Sequence, residues 1–164
     1  MTMLDERQLL AYLETNSLAY ERWEHPPVFT CAESEMHRPN RSAVSTKNLF
    51  LCDKNARRFI LLVTDCEKKM DLALIGEQTG LARTRFASPE NMLRLLGVTP
   101  GSVTMMGLVN DTSSQVELWI DDEIWGQELF QSHPLVNTAT LLLSKETLLR
   151  FFELTGHEVK LIRV

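Results

Sequence analysis

The chain has 164 residues, 44% hydrophobic and 24% charged, the mixture of an ordinary globular domain, which excludes a disordered, collagenous or low-complexity chain. A net charge of −5, from 22 acidic and 17 basic residues, argues against a non-specific nucleic-acid coat but leaves room for a few local contacts to one end of a nucleic acid. No apolar run approaches the ~18–20 residues that cross a bilayer, and the acidic opening MTMLDERQLL is unlike a signal peptide, so a soluble cytoplasmic protein is expected.

The elements follow in chain order. Leu4, Leu9, Leu10 and Leu13 share one helical stripe, which predicts a short helix ending near Asn16. Leu18 to His25 carries two aromatics and reads as a strand stopped by Pro26-Pro27. Cys31 to Asn40 suits a short polar helix that breaks down at Pro39. The apolar runs Leu49–Cys52 and Phe59–Thr64 flank the turn-forming Asp53 to Arg58, a hairpin with strands buried on both faces. Asp71 to Gln78 is helix-like with Gly80 as its stop, and Ser88-Pro89-Glu90 starts a helix that ends at Gly97. After the Pro100-Gly101 turn, Val103 to Val109 reads as a strand, as do Val116–Ile120 and Thr138–Leu143. Ser144 caps a helix to Leu154, with Gly156 beyond it, and Glu158 to Val164 alternates as a last strand. Without a linker or internal repeat, residues 1–164 read as a single α+β domain.

Several residues could carry chemistry, each with an ordinary structural alternative. Lys47, within Ser45-Thr46-Lys47-Asn48, stands at the mouth of a buried strand, where its ammonium can meet a phosphate or carbonyl or simply face solvent. Gly101, in Pro100-Gly101-Ser102-Val103-Thr104, allows close approach of a ligand to the backbone, or serves only as a turn. His133 precedes a proline at a strand entrance, followed by Asn137, and its neutral ring can position a water or an amine, or be structural. The patch Asp121-Asp122-Glu123, with Asp111 upstream, reads as a solvated turn rather than a metal site. Cys31, Cys52 and Cys66 are expected to be reduced, mostly buried thiols, and the other histidines, His25, His37 and His157, show no ligand spacing, so neither metal nor cofactor is expected. Serine-hydrolase, zinc-protease, Walker and dinucleotide fingerprints are absent.

The combination is more specific than its parts. Thr46-Lys47-Asn48-Leu49-Phe50-Leu51, Phe59 to Thr64, Leu81 to Ser88, Pro100 to Thr104, Gly107 to Asp111 and His133 to Thr140 occur in an order that resembles the YbaK/ProRS-editing-domain superfamily over nearly the whole chain. The resemblance is greatest to its freestanding prolyl-tRNA deacylases. It implies a mixed, barrel-like sheet surrounded by short helices, and hydrolysis of alanine mischarged on tRNA(Pro), with cysteine on tRNA(Pro) or non-catalytic tRNA or synthetase binding as alternatives. It also implies contact with the acceptor end of tRNA(Pro), and prolyl-tRNA synthetase as a possible partner.

Carried over by position, Lys47, Gly101 and His133 would be catalytic, and Thr46, Asn48, Ser102, Val103, Thr104 and Asn137 would bind substrate. The reactive ester would need only an oriented water, activated with help from the substrate, and a stabilised oxyanion. Relatives read GxxxP in the loop that here reads Gly101-Ser102-Val103-Thr104-Met105, so Met105 departs from the family pattern.

Overall fold

The computed structural model describes residues 2–37 and 42–164. Helix α1 (Glu6–Thr15) starts with a reciprocal cap, in which Asp5 accepts from the Gln8 amide and the Gln8 side chain accepts from the Asp5 amide, and it buries Leu9 and Leu13. Strand β1 (Glu21–Glu24) and the short helix α2 (Cys31–Met36) follow; the expected break at Pro39 lies outside the described residues. Strands β2 (Val44–Cys52) and β3 (Phe59–Asp65) form the expected antiparallel hairpin, from Thr46 opposite Asp65 to Cys52 opposite Phe59. Asp53 closes the turn by accepting from the amides of Arg57 and Arg58.

Helices α3 (Leu72–Thr79) and α4 (Pro89–Leu96) are capped by Asp71 and Ser88 and stop at Gly80 and Gly97, and the two-residue strand β4 (Arg85–Phe86) between them pairs with the end of β2. Beyond β5 (Val116–Asp121) come helix α5 (Asp122–Trp125), β6 (Leu129–Ser132), β7 (Ala139–Ser144), α6 (Lys145–Thr155) and β8 (Val159–Ile162).

Among the described residues eight strands make one mixed sheet in the order β1-β7-β6-β2-β3-β5-β8, with β4 alongside β2. The architecture is therefore α+β with short helices around a mixed sheet, as expected. Alternation along the hairpin divides two apolar layers. Phe50, Cys52, Phe59, Leu61 and Val63 join the main core with α1, α4 and α6, whereas Leu51, Ile60 and Leu62 pack under α3 with Ile75, Leu81 and Ile162. Strands covered on both faces read as continuous apolar runs, which is why the hairpin was so plain in the sequence.

Two expectations are corrected. Val103 to Val109 is not a strand: Met105–Asn110 forms a 3-10 turn whose residues are all buried. Thr104 caps it by accepting from the Met106 amide, and the buried Asn110 side chain donates to the carbonyls of Leu96 and Leu4, bonds that an isolated apolar strand could not make. The acidic patch is not simply a solvated turn. Asp121 is fully buried, accepts from the Thr64 hydroxyl and the Lys68 ammonium, and caps α5 through the Glu123 amide. Burial disfavours the Lys68 charge, but Asp121 and Glu123 outweigh it and raise its pKa. Strands β4 and β6 and helix α5, of 2, 4 and 4 residues, are too short to leave a periodic pattern in the sequence.

Candidate functional site

Parallel pairing sets the site. Val44 and Ser45 of β2 lie beside Phe130 and Gln131 of β6, which delivers His133 to the start of β2. The Thr46 hydroxyl donates to the Gln131 carbonyl at 2.6 Å and locks this junction. A cleft of about 200 Å3 opens here, walled by Thr46 and Asn48 of β2, Gly101 and Val103 of the loop after α4, His133, Cys66, and the segment from Val28 into α2. A larger hollow of about 830 Å3, between the Asn16–Ala19 turn and α6, contains none of the residues singled out from the sequence.

Gly101 has φ +91°, a conformation that side chains rarely adopt, and a Cβ there would lie 3.3 Å from the Phe29 ring. Glycine thus keeps the loop against Phe29. The Ser102 amide donates to the Thr99 carbonyl, so that donor belongs to the turn. Ser102 and Thr104 are buried and do not line the cleft. The Thr104 hydroxyl donates to the His133 carbonyl at 2.7 Å and contacts Ser132 at 2.8 Å, so Thr104 supports the wall from behind. Asn137 also works from outside the cleft, where its side chain donates to the Val28 carbonyl while the Val28 amide donates to its own carbonyl.

Position 105 has a use for its amide. The Met105 N–H donates to the Asn48 Oδ1 at 3.0 Å, which turns the Asn48 amide group toward the Thr46 hydroxyl. A proline could not make this bond. The Met105 side chain is buried in the main core.

His133 is held by a bond between Nδ1 and the Ala139 carbonyl, 2.9 Å long. A carbonyl only accepts, so Nδ1 carries the proton of the neutral ring and Nε2 is left as an acceptor. Burial lowers the His133 pKa, more than the Ala139 bond restores, and the nearby His25 lowers it further. The ring is therefore neutral at pH 7. His25 lies edge-on to His133 and stacks on His37, with ring centroids 6.2 Å and 5.4 Å away. Among the described residues no group of three His, Cys, Asp or Glu side chains is arranged to hold a metal ion.

Lys47 does not line this cleft. It lies one residue from both Thr46 and Asn48, on the alternate face of β2 opposite Thr64, and its ammonium donates to the Lys68 carbonyl at 2.6 Å. The structure thus brings Thr46, Asn48, Gly101, Val103 and His133 together and ties Lys47 to the other side of the same strand end. The opposite wall, Phe29, Thr30, Cys31 and Ser34, is not legible in the sequence, because a loop leading into a short polar helix carries no motif. The expectation of reduced cysteines is corrected as well: Cys31 and Cys66 form a disulfide, and only Cys52 is free and buried. Two cysteines 35 residues apart carry no local pairing signal, and the fold brings their Cα atoms to 5.7 Å.

A family profile described as an aminoacyl-tRNA editing domain matches residues 25–151. The chain is 32% identical to the prolyl-tRNA editing protein ProX of Acetoanaerobium sticklandii over the full length of both, and 34% identical to the prolyl-tRNA synthetase associated domain-containing protein 1 of Danio rerio, over 92% of this chain and 83% of that protein. A solved structure described as a candidate trans-editing enzyme for prolyl-tRNA synthetase superposes with a TM-score of 0.72 at 17% identity, covering 100% of this chain and 99% of that one, and supports the fold.

Proposed function

The chain belongs to the aminoacyl-tRNA editing domain family, and from that premise we propose that it is a trans-editing deacylase that hydrolyses alanine from mischarged tRNA(Pro). The observation that carries this reading is that the cleft between Asn48, Gly101 and His133 falls within the matched segment of a chain similar from end to end to a prolyl-tRNA editing protein. It acts in the cytoplasm on tRNA released by prolyl-tRNA synthetase, the partner that its relatives' names suggest.

The chemistry asks little of the protein, because an aminoacyl ester is already activated. The 3′-terminal ribose enters past Gly101, where the absent side chain lets the ester approach the backbone. His133 Nε2 accepts a hydrogen bond from the α-ammonium or the attacking water, and Thr46 and Asn48 border the aminoacyl group. Lys47, on the other face of the same strand end, meets the terminal phosphate outside the cleft by exchanging its bond to the Lys68 carbonyl for one to the substrate. Editing is needed because a synthetase pocket discriminates one missing methylene by only ~1–3 kcal/mol.

A cationic surface supports contact with the acceptor stem. Lys54, Arg57, Arg83 and Arg85 are all exposed, and the Lys54 amide bond to the Ala82 carbonyl and the Arg85 bond to the Lys54 carbonyl gather them at one end of the hairpin. In a chain of net charge −5 this local concentration of cations suits RNA phosphates.

Hydrolysis of Ala-tRNA(Pro), Cys-tRNA(Pro) and Pro-tRNA(Pro) by wild type, Lys47→Ala and His133→Ala tests the reading. Loss of alanine alone, reduced about 100-fold or more in either variant, is the expected result. Cleavage of cysteine instead would move the protein to the other substrate. Rates equal to buffer on all three esters would overturn the deacylase reading.

A further inference from the structure

The disulfide lies in the wall of the cleft. Cys31 is the first residue of α2, a helix without a single buried side chain, and Cys66 directly follows β3. The Cys66 amide donates to the Ser45 carbonyl at 2.9 Å, so this end of the cross-link is fixed to the sheet beside Thr46. The other end holds a helix that packing anchors poorly. Both cysteines line the cleft, but Cys66 is only 8% exposed whereas Cys31 is half-buried, so Cys31 is the more open end of the cross-link to an attacking thiolate. Cys52, buried in the main core, offers no competing thiol at the surface.

We propose that Cys31–Cys66 is a thiol-exchange site that latches α2 over the aminoacyl cleft, so that the redox state of the protein sets how sharply alanyl and prolyl esters are distinguished. The latch is a property of the structure, and its effect on selectivity rests on the deacylase reading. The co-reactant is a dithiol. One of its thiolates attacks Cys31 Sγ, the Cys31–Cys66 bond breaks, and Cys66 leaves as a thiolate that is protonated. The second thiol then displaces Cys31 from the mixed disulfide. Two electrons pass to the protein, the two thiol protons end on Cys31 and Cys66, and the dithiol closes to its own disulfide. Size exclusion needs a wall that does not yield, and with the bond open the α2 wall yields.

The test uses the full chain, oxidised with glutathione disulfide or reduced with dithiothreitol, with Cys31→Ser as a permanently open form. Peptide mapping reads the bond, mass-resolved amide exchange reads residues 29–37, and hydrolysis of Ala-tRNA(Pro) and Pro-tRNA(Pro) reads selectivity. The expected result is a linked Cys31–Cys66 peptide in the oxidised protein and faster exchange in 29–37 on reduction. The alanine-to-proline rate ratio should fall about tenfold, the order at which one methylene is discriminated, and Cys31→Ser should behave as reduced whatever the buffer.

Absence of the linked peptide after oxidation, or equal exchange in the two forms, would overturn the latch. Faster exchange with an unchanged ratio would overturn its role in selectivity. If neither form hydrolyses any ester while exchange still responds, the deacylase reading falls and the latch stands.

Discussion

Asp111 shows how a single buried carboxylate is made useful. It is 2% exposed, and burial alone would raise its pKa, but the bond from His157 Nε2 at 2.8 Å and the amides of Val116 and Gln115 outweigh that and hold it below the usual carboxylate range. The sign follows. A carboxyl depressed in the folded state contributes stability above its unfolded pKa of about 3.9, and loses it as pH falls through the lower folded value. Asp111→Asn should therefore cost about 1–3 kcal/mol at pH 7 by urea unfolding, with the gap to wild type closing below about pH 4. A gap of equal size at pH 7 and pH 3 would assign the loss to shape rather than charge.

The 3-10 turn Met105–Asn110 is the element on which the cleft leans. Its cap, Thr104, reaches the His133 carbonyl and Ser132, and its first amide holds Asn48, so one short turn aligns two walls. Thr104→Val keeps the shape and removes the hydroxyl. The variant should lose about 1–2 kcal/mol through the missing cap, which for a domain of this size lowers Tm by about 2–8 °C, and KM for the aminoacyl ester should rise with His133 displaced. An unchanged Tm would show that the hydroxyl is dispensable and that packing alone holds the turn. The Met105 departure from the family loop belongs at this scale, because its cost or benefit lies in the bond to Asn48 rather than in the turn itself.

For the molecule as a whole, the cleft and the cationic end of the hairpin lie toward opposite ends of β2, near Thr46 and beyond Cys52 respectively. Chemistry and RNA grip should then separate in experiment. Replacing Arg83 and Arg85 by alanine should weaken tRNA binding and make the plot of log affinity against log salt shallower by roughly 0.7–0.9 per contact removed. Hydrolysis of a short alanyl-adenosine ester should stay unchanged. An unaltered salt slope would place the acceptor stem on another face.

Much of this was written locally in the chain. Caps such as Asp71, Ser88 and Ser144, glycine stops and continuous apolar runs act within a few residues, so the helices α1, α3, α4 and α6 and the β2–β3 hairpin could be read directly. Thr46, Asn48, Gly101 and His133 stood out by type and order, and they meet. Other features depend on neighbours far away in sequence. Val103 to Val109 has the composition of a strand, yet burial against α4 and the bonds of Thr104 and Asn110 make it a turn. The parallel β2–β6 register, the side of β2 that Lys47 takes, the burial of Asp121 and the Cys31–Cys66 bond all follow from which strands lie side by side. Local propensity determined the pieces of this protein; the packing of its sheet decided which of them share a cleft, because contacts between distant residues exist only once the strands have paired.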